Sequence, residues 1–290
     1  MTRFCFVTCR RWPEISESDR LVAQALAERG AHVEGRAWNE PAADFEGFDA
    51  VVLRSNWDYH FDPEAFLAWL ERLERAGARV FNPPALVRWN VSKRYLIALQ
   101  AAGVPTVATA ALADETGAGL EAIMRGRGWR TCVLKPEIGA SAHDARIVTD
   151  DTLAEAATAI ATGAIRRPLL VQPFVDEIRT RGEWSLVLIE GRLTHSVLKL
   201  PAAGDFRVQS YLGGTVRTEP APPGAVSAAR AALALLPEPP LYARIDGVET
   251  SGGFLIMEVD VNEPGLFFTH APAAAAASLA EALLRRLGAA

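Results

Sequence analysis

Two periodicities alternate along the first part of the chain. Residues 3–8, R-F-C-F-V-T, form a short apolar run that fits a buried strand. S-D-R-L-V-A-Q-A-L-A-E-R-G follows with helical spacing and stops at Gly30. A-H-V-E-G-R-A-W and F-D-A-V-V-L-R-S read as two further strands. Residues 63–77 read as a helix opened by Pro63 and closed by Gly77. A-R-V-F-N-P-P is one more short strand. Strand and helix alternating up to Pro84 predict a small α/β, Rossmann-like domain with a parallel sheet. The loop R-S-N-W-D-Y-H, residues 54–60, lies at a strand carboxyl end, where such sheets bind ligands.

The pattern changes after Pro83-Pro84. L-V-R-W-N-V-S-K-R-Y-L-I-A-L-Q-A-A-G predicts one continuous helix carrying Lys93. The strand T-C-V-L-K-P carries Lys135 and runs into the small-residue loop E-I-G-A-S-A. A helix over 151–161 and a strand over 168–175 complete a second, α+β unit. From Glu183 onward the runs are long and antiparallel: one hairpin turns at Glu190-Gly191, another near T-S-G-G. The Ala-rich run that ends in L-L-R-R is a plain helix. The expected division is 1–88, 89–172 and 173–290.

The second hairpin carries the least ordinary stretch, M-E-V-D-V-N-E-P-G. Glu258, Asp260 and Asn262 alternate with apolar residues and so share one strand face. Asp246 lies on the partner strand. Unpaired acids gathered there would repel each other. An all-oxygen set without Cys or His suits a hard cation, Mg²⁺ or Mn²⁺. A solvated, salt-bridged sheet face is the plainer alternative.

Composition narrows the partners. The net charge of −5 argues against a general nucleic-acid binder, and no apolar run is long enough for a membrane span. The N-terminus lacks the order of a signal peptide, so a cytoplasmic protein is expected. Cys5, Cys9 and Cys132 are expected as reduced, buried thiols. Of 30 Lys and Arg residues only three are lysine: Lys93, Lys135 and Lys199. An arginine fork does not replace a compact ammonium in a tight anion site, which marks these three for chemistry. Neither G-x-x-x-x-G-K-[ST] nor a G-x-G-x-x-G after the first strand occurs.

Taken in order along the chain, these residues resemble the ATP-grasp superfamily of carboxylate–amine ligases, as in glutathione synthetase and D-alanine–D-alanine ligase. The resemblance implies a pre-ATP-grasp α/β domain, a central lid and a C-terminal antiparallel domain. It implies that ATP is bound by Lys93, Lys135, the loop of Gly139, Ala140 and Ser141, the adenine hinge Gln172, Phe174 and Val175, and Glu183 at the ribose. It places Lys199 and Arg207 near the γ-phosphate and Arg244 at the oxyanion. Asp246, Asp260 and Asn262 would hold Mg²⁺ or Mn²⁺. The family has Glu where Asp260 stands, and Glu258 is an additional acid, either a helping ligand or the partner of a neighbouring cation.

Within the family, L-R-S-N-W-D-Y, R-W-N-V-S-K-R-Y-L and D-F-R-V-Q-x-Y-x-G-G are most similar to the branch that cyclises O-ureido-serine in cycloserine biosynthesis. The implied reaction is ATP-dependent ligation of a small-molecule carboxylate and amine through an acyl phosphate. Dipeptide-type ligation, phosphotransfer and non-catalytic nucleotide binding are the alternatives. Arg54, Ser55, Trp57, Asp58 and Tyr59 are expected at the substrate, with a plain salt bridge the equal alternative for Arg54. His195 is expected to pack, His143 to be exposed, and Trp12, Trp38 and Trp69 to be packing residues. A homo-oligomer is left open by the resemblance.

Overall fold

The structure is a computed structural model and describes residues 1–112, 117–140, 142–165, 168–202, 204–205, 207–208 and 213–288. β1 (Arg3–Thr8), α1 (Glu17–Ala27), β2 (His32–Ala37), β3 (Ala50–Leu53), α2 (Pro63–Arg75) and β4 (Val80–Phe81) alternate as their periodicities imply. The four strands form a parallel sheet in the order β2-β1-β3-β4. Ser16 caps α1 by accepting the Asp19 N–H, and Asp62 caps α2 just before Pro63.

The helix expected after Pro84 is two helices. α3 (Pro84–Val91) and α4 (Tyr95–Ala101) are separated at Ser92, whose backbone is extended at φ −95°, ψ 122°. Competing hydrogen bonds explain the break. The Glu137 carbonyl accepts the Lys93 N–H at 2.8 Å, and its carboxylate accepts from Ser92 Oγ and from Arg94. Lys93 therefore sits in a joint between helices rather than on a helix face.

β5 (Ala110–Leu112), α5 (Ala118–Arg127), β6 (Thr131–Pro136), β7 (Arg146–Thr149), α6 (Leu153–Ala161) and β8 (Leu169–Pro173) build the second unit. Its sheet is antiparallel, in the order β5-β8-β6-β7. The short α7 (Glu177–Thr180) leads to β9 (Glu183–Ile189) and β10 (Arg192–Leu200), the hairpin expected at Glu190-Gly191. β11 (Thr215–Thr218), α8 (Ala225–Leu233), β12 (Tyr242–Thr250) and β13 (Gly253–Asp260) follow, and the third sheet runs β11-β10-β9-β12-β13.

That sheet has two unlike faces. Trp184, Leu186, Leu188, Ile245, Ile256 and Val259 point down onto α8 and onto Leu96 and Leu99 of α4. Each fully buried leucine there contributes about 1.5–3 kcal/mol. The other face carries the polar residues. α9 (Ala273–Leu287) closes the chain but packs with α1 against the first sheet: Leu279 and Leu283 share a core with Val22, Leu26, Phe4 and Tyr242. One apolar cluster thus ties the N-terminal sheet to the ends of β9 and β12.

Candidate active site

The pairing of β12 with β13 sets the polar face. Arg244 stands opposite Asp260 and Asp246 opposite Glu258. The register then shifts, so that Gly247 pairs with Ile256 and Met257 becomes an extra residue. Gly247 makes this possible: a Cβ there would lie 2.4 Å from the Phe254 ring and 2.6 Å from the Leu255 carbonyl. The bulge lets Met257 and Glu258 line the same cleft, a feature that strict alternation does not foresee.

The cleft has a volume of about 600 Å³ and lies among the three sheets. Lys93, Lys135 and Lys199, all the lysines of the chain, line it together. Lys93 Nζ is 2.9 Å from Glu258 and donates to the Gly139 carbonyl at 2.5 Å. Lys199 bonds Glu183 and reaches Asp246 at 3.3 Å. Lys135, on β6, has burial as its main influence, and its ammonium is pushed down to about 8, with Glu258 offsetting part of the effect.

Arg244 lies across two carboxylates, 2.9 Å from Asp246 and 3.2 Å from Asp260. Burial acts to raise the Asp246 pKa, but Arg244 and Lys199 outweigh it and hold the group at about 2. Asp260 is pushed the other way, to about 6, by burial, with Arg244 opposing and Glu258 and Asp246 adding to the rise. Its Oδ1 accepts the backbone N–H groups of Asn262 and Glu263. Glu263 also lines the cleft; burial and the nearby Asp260 put its carboxyl well above the usual range.

The other expected residues divide. Gly139, Ala140, Gln172, Val175, Glu183 and Arg207 line the cleft. Arg207 pairs with Asp205 at 2.9 Å. Ser141 lies outside the described residues. Phe174 does not line the cleft; its ring carries Arg179 at 4.5 Å. Asn262 is buried behind the carboxylates, where its Oδ1 accepts from Asn56 Nδ2 at 3.1 Å and its Nδ2 has no partner. Of the expected substrate residues only Trp57 reaches the cleft. Arg54 is pinned by Asp19 at 2.8 Å and by the Pro264 carbonyl, and Ser55 is buried beside it. Asp58 accepts from Trp38 and Asn39, and Tyr59 packs on Phe66. These side chains were drawn inward by partners distant in sequence.

Among the histidines, His195 is buried and bonds the Leu266 carbonyl at 2.8 Å. His143 is exposed as expected, at the cleft, with its ring tilted against His60 and edge-on to Phe61. Trp12 meets Trp57 edge-on at 5.9 Å at the cleft rim, whereas Trp38 and Trp69 are core. The three cysteines are free and buried.

Known proteins resemble this chain in sequence and fold. The family described as D-cycloserine synthetase DcsG, N-terminal domain, matches residues 4–82. The cycloserine biosynthesis protein DcsG of Streptomyces lavendulae is 29% identical over 265 residues, which cover 86% of this chain and 87% of that protein. Its likeness extends to the fold: a crystal structure of D-cycloserine synthetase DcsG superposes with a TM-score of 0.87 at 27% identity, covering 98% of this chain and 99% of that one. Glutathione synthetase of Parasynechococcus marenigrum is 30% identical over 227 residues, covering 75% of this chain and 68% of that enzyme. The chain is an ATP-grasp ligase.

The oxygen donors of the ligase can be tested against a metal. Asp246 and Asp260 already hold a cationic group, the Arg244 guanidinium, between them. Burial raises Asp260 most, repulsion from Glu258 and Asp246 adds to it, and nearby positive charge opposes the rise, so a hard divalent cation fits this set. Among the described residues no three Asp, Glu, His or Cys converge closely enough to hold an ion alone. The protein's share of such a site is therefore partial and faces the cleft. Among the described residues no helix is long and apolar enough to cross a membrane.

Proposed function

We propose that this ligase joins a carboxylate to an amine with ATP as phosphoryl donor, and that it closes an amino-acid derivative, O-ureido-serine, on itself. The observation that carries this is the convergence of all three lysines with Arg244 in one cleft that also holds the alternating carboxylates Glu258 and Asp260. Such a cleft stabilises a transferring phosphoryl group by charge, with no covalent nucleophile on the enzyme. The substrate carboxylate oxygen attacks the γ-phosphorus, and the bond to the ADP oxygen breaks. The ureido nitrogen bonded to the side-chain oxygen then attacks the carbonyl carbon of the acyl phosphate and closes a five-membered ring, while the α-amine stays free. The carbon–oxygen bond to phosphate breaks, and the attacking nitrogen loses its proton to solvent.

Each side chain has a part in this reading. Lys93 and Lys135 hold the phosphates, beside Gly139 and Ala140. Lys199 and Arg207 hold the transferred group, and Arg244 meets the oxyanion of the tetrahedral adduct. Gln172, Val175 and Met257 lie along the base, and Glu183 takes the ribose hydroxyls after releasing Lys199. A Mg²⁺ or Mn²⁺ ion held by Asp246 and Asp260, with Glu258 beside them and Asn262 Oδ1 joining on release from Asn56, would neutralise phosphate charge. The match to DcsG over most of both chains supports the cyclising substrate.

The test is phosphate release from ATP with Mg²⁺, over O-ureido-serine and paired amino acids. O-ureido-serine alone is expected to release phosphate and form a new ring amide. Release only with amino-acid pairs would replace cyclisation by intermolecular ligation. A phosphorylated product with no amide would replace ligation by phosphotransfer.

A further inference from the structure

Five acids line the cleft, and four of them have a cation in contact. Glu183 has Lys199, Asp246 has Lys199 and Arg244, Glu258 has Lys93, and Asp260 has Arg244. Glu263 has none among the described residues, and its Oε2 has no hydrogen-bond partner although the residue is only 6% exposed. Its position is fixed by the backbone instead. Its N–H donates to Asp260 Oδ1 at 3.3 Å, and its carbonyl accepts from Trp57 Nε1 at 3.1 Å. The carboxylate thus stands just past the strand that carries Asp260, on the side where Trp57 and Trp12 form the rim. A buried carboxylate oxygen left without a donor is costly, and a native site tends to supply one.

We infer that Glu263 receives the ammonium group of an amino-acid substrate, so that the ligase takes amino acids with a free amine and rejects their N-acylated forms. This rests on the ligase reading above and adds to it the substrate's second handle. The carboxyl end goes to the lysines and Arg244 for activation; the ammonium end is held at Glu263. An ammonium fits because it is a compact cation with several N–H donors, and the remaining acids of the cleft already have cations. Glu263 follows Asn262 directly, outside the alternation of Glu258, Asp260 and Asn262, so it belongs to the turn and not to the strand face.

The experiment is calorimetric titration of O-ureido-serine and its N-acetyl derivative into the full chain loaded with ADP and Mg²⁺. The unaltered chain is expected to bind the free amine about 10- to 100-fold more tightly, the range of a hydrogen bond to a charged group. Glu263→Gln is expected to abolish that preference with unchanged ADP affinity, and Glu263→Asp to recover part of it. Equal binding of the two compounds by the unaltered chain, or no binding of either, overturns the inference even if the variants fail to fold. So does a preference that survives in Glu263→Gln, or a tenfold shift in the Mg²⁺ requirement of ADP binding, which would make Glu263 a metal ligand. Failure of the ligase reading looks different: the free amine is preferred, yet no phosphate is released when ATP replaces ADP.

Discussion

Among the described residues, the buried Arg54 and the partly buried Arg244 are both bonded to aspartate, in unlike surroundings. Arg54 and Asp19 are 1% and 2% exposed, and Arg54 also donates to the Leu53 and Pro264 carbonyls. Tyr242 covers the guanidinium face at 4.9 Å. Every donor direction is closed by protein, and nothing can be exchanged for a ligand. Arg244 touches Asp246 and Asp260 but is 16% exposed and lines the cleft together with Lys199 and Lys135. Phosphate can re-partner the guanidinium, and a metal the two carboxylates. The same ion pair is scaffold when sealed and chemistry when one side is open.

Removing each arginine separates the two roles. Arg54→Ala leaves Asp19 buried without its cation, and the expected loss is about 3–5 kcal/mol of unfolding free energy. Urea unfolding reads this directly, and turnover per folded molecule is expected to fall far less than in the cleft variant. Arg244→Ala is the converse: about 100- to 1,000-fold slower phosphate release, as for loss of an oxyanion donor, with a smaller change in stability. If Arg244→Ala unfolds the protein while turnover of the folded fraction is normal, Arg244 is scaffold too and the distinction collapses.

Lys135 sharpens the comparison through pH. Burial holds its folded pKa at about 8, below the ordinary 10.5. A group that must stay charged to hold phosphate loses that charge above about 8, so phosphate release is expected to fall as pH rises through 8. Stability moves the opposite way. Between 8 and 10.5 the unfolded chain binds the proton that the folded chain has released, so unfolding free energy rises with pH across that window. Lys135→Arg keeps its charge and is expected to remove the alkaline limb while lowering the plateau, because the fork is broader than an ammonium. An alkaline limb that persists unchanged in Lys135→Arg would assign it to another group.

Much of this division was legible in the sequence. The alternation of strand and helix up to Pro84, the two hairpins and the residues Asp246, Glu258 and Asp260 all follow from local periodicity, and the cleft gathers them. The three lysines stood out because arginine had replaced lysine everywhere else. What was not legible depends on contacts between distant segments. The burial of Arg54 needs Asp19 and Pro264, that of Asp58 needs Trp38 and Asn39, and the break before Lys93 needs Glu137. The bulge at Met257 depends on how closely Gly247 can approach Phe254. Glu263 carried one signal, an acid placed immediately after Asn262 and so off the alternating register, and only the unpartnered Oε2 gives that signal meaning.

His60 tests where the border between scaffold and site runs. It sits between the N-terminal core and the loop of His143, with ring centroids 5.5 Å apart, and neither of its ring nitrogens has a hydrogen-bond partner. Burial, with His143 adding to it, pushes its pKa down to about 4 from an ordinary 6.5. The unfolded chain therefore binds a proton between 6.5 and 4 that the folded chain refuses, and stability falls as pH drops through that window. Phe has a similar shape and no nitrogens to leave unsatisfied. His60→Phe is expected to change unfolding free energy by less than about 1 kcal/mol at pH 7 and to flatten its decline toward pH 4. Phosphate release at pH 7 is expected to stay within about twofold, as for a residue of the scaffold. A larger loss of turnover, with stability unchanged, would move His60 across the border and make the seam with His143 part of the working site.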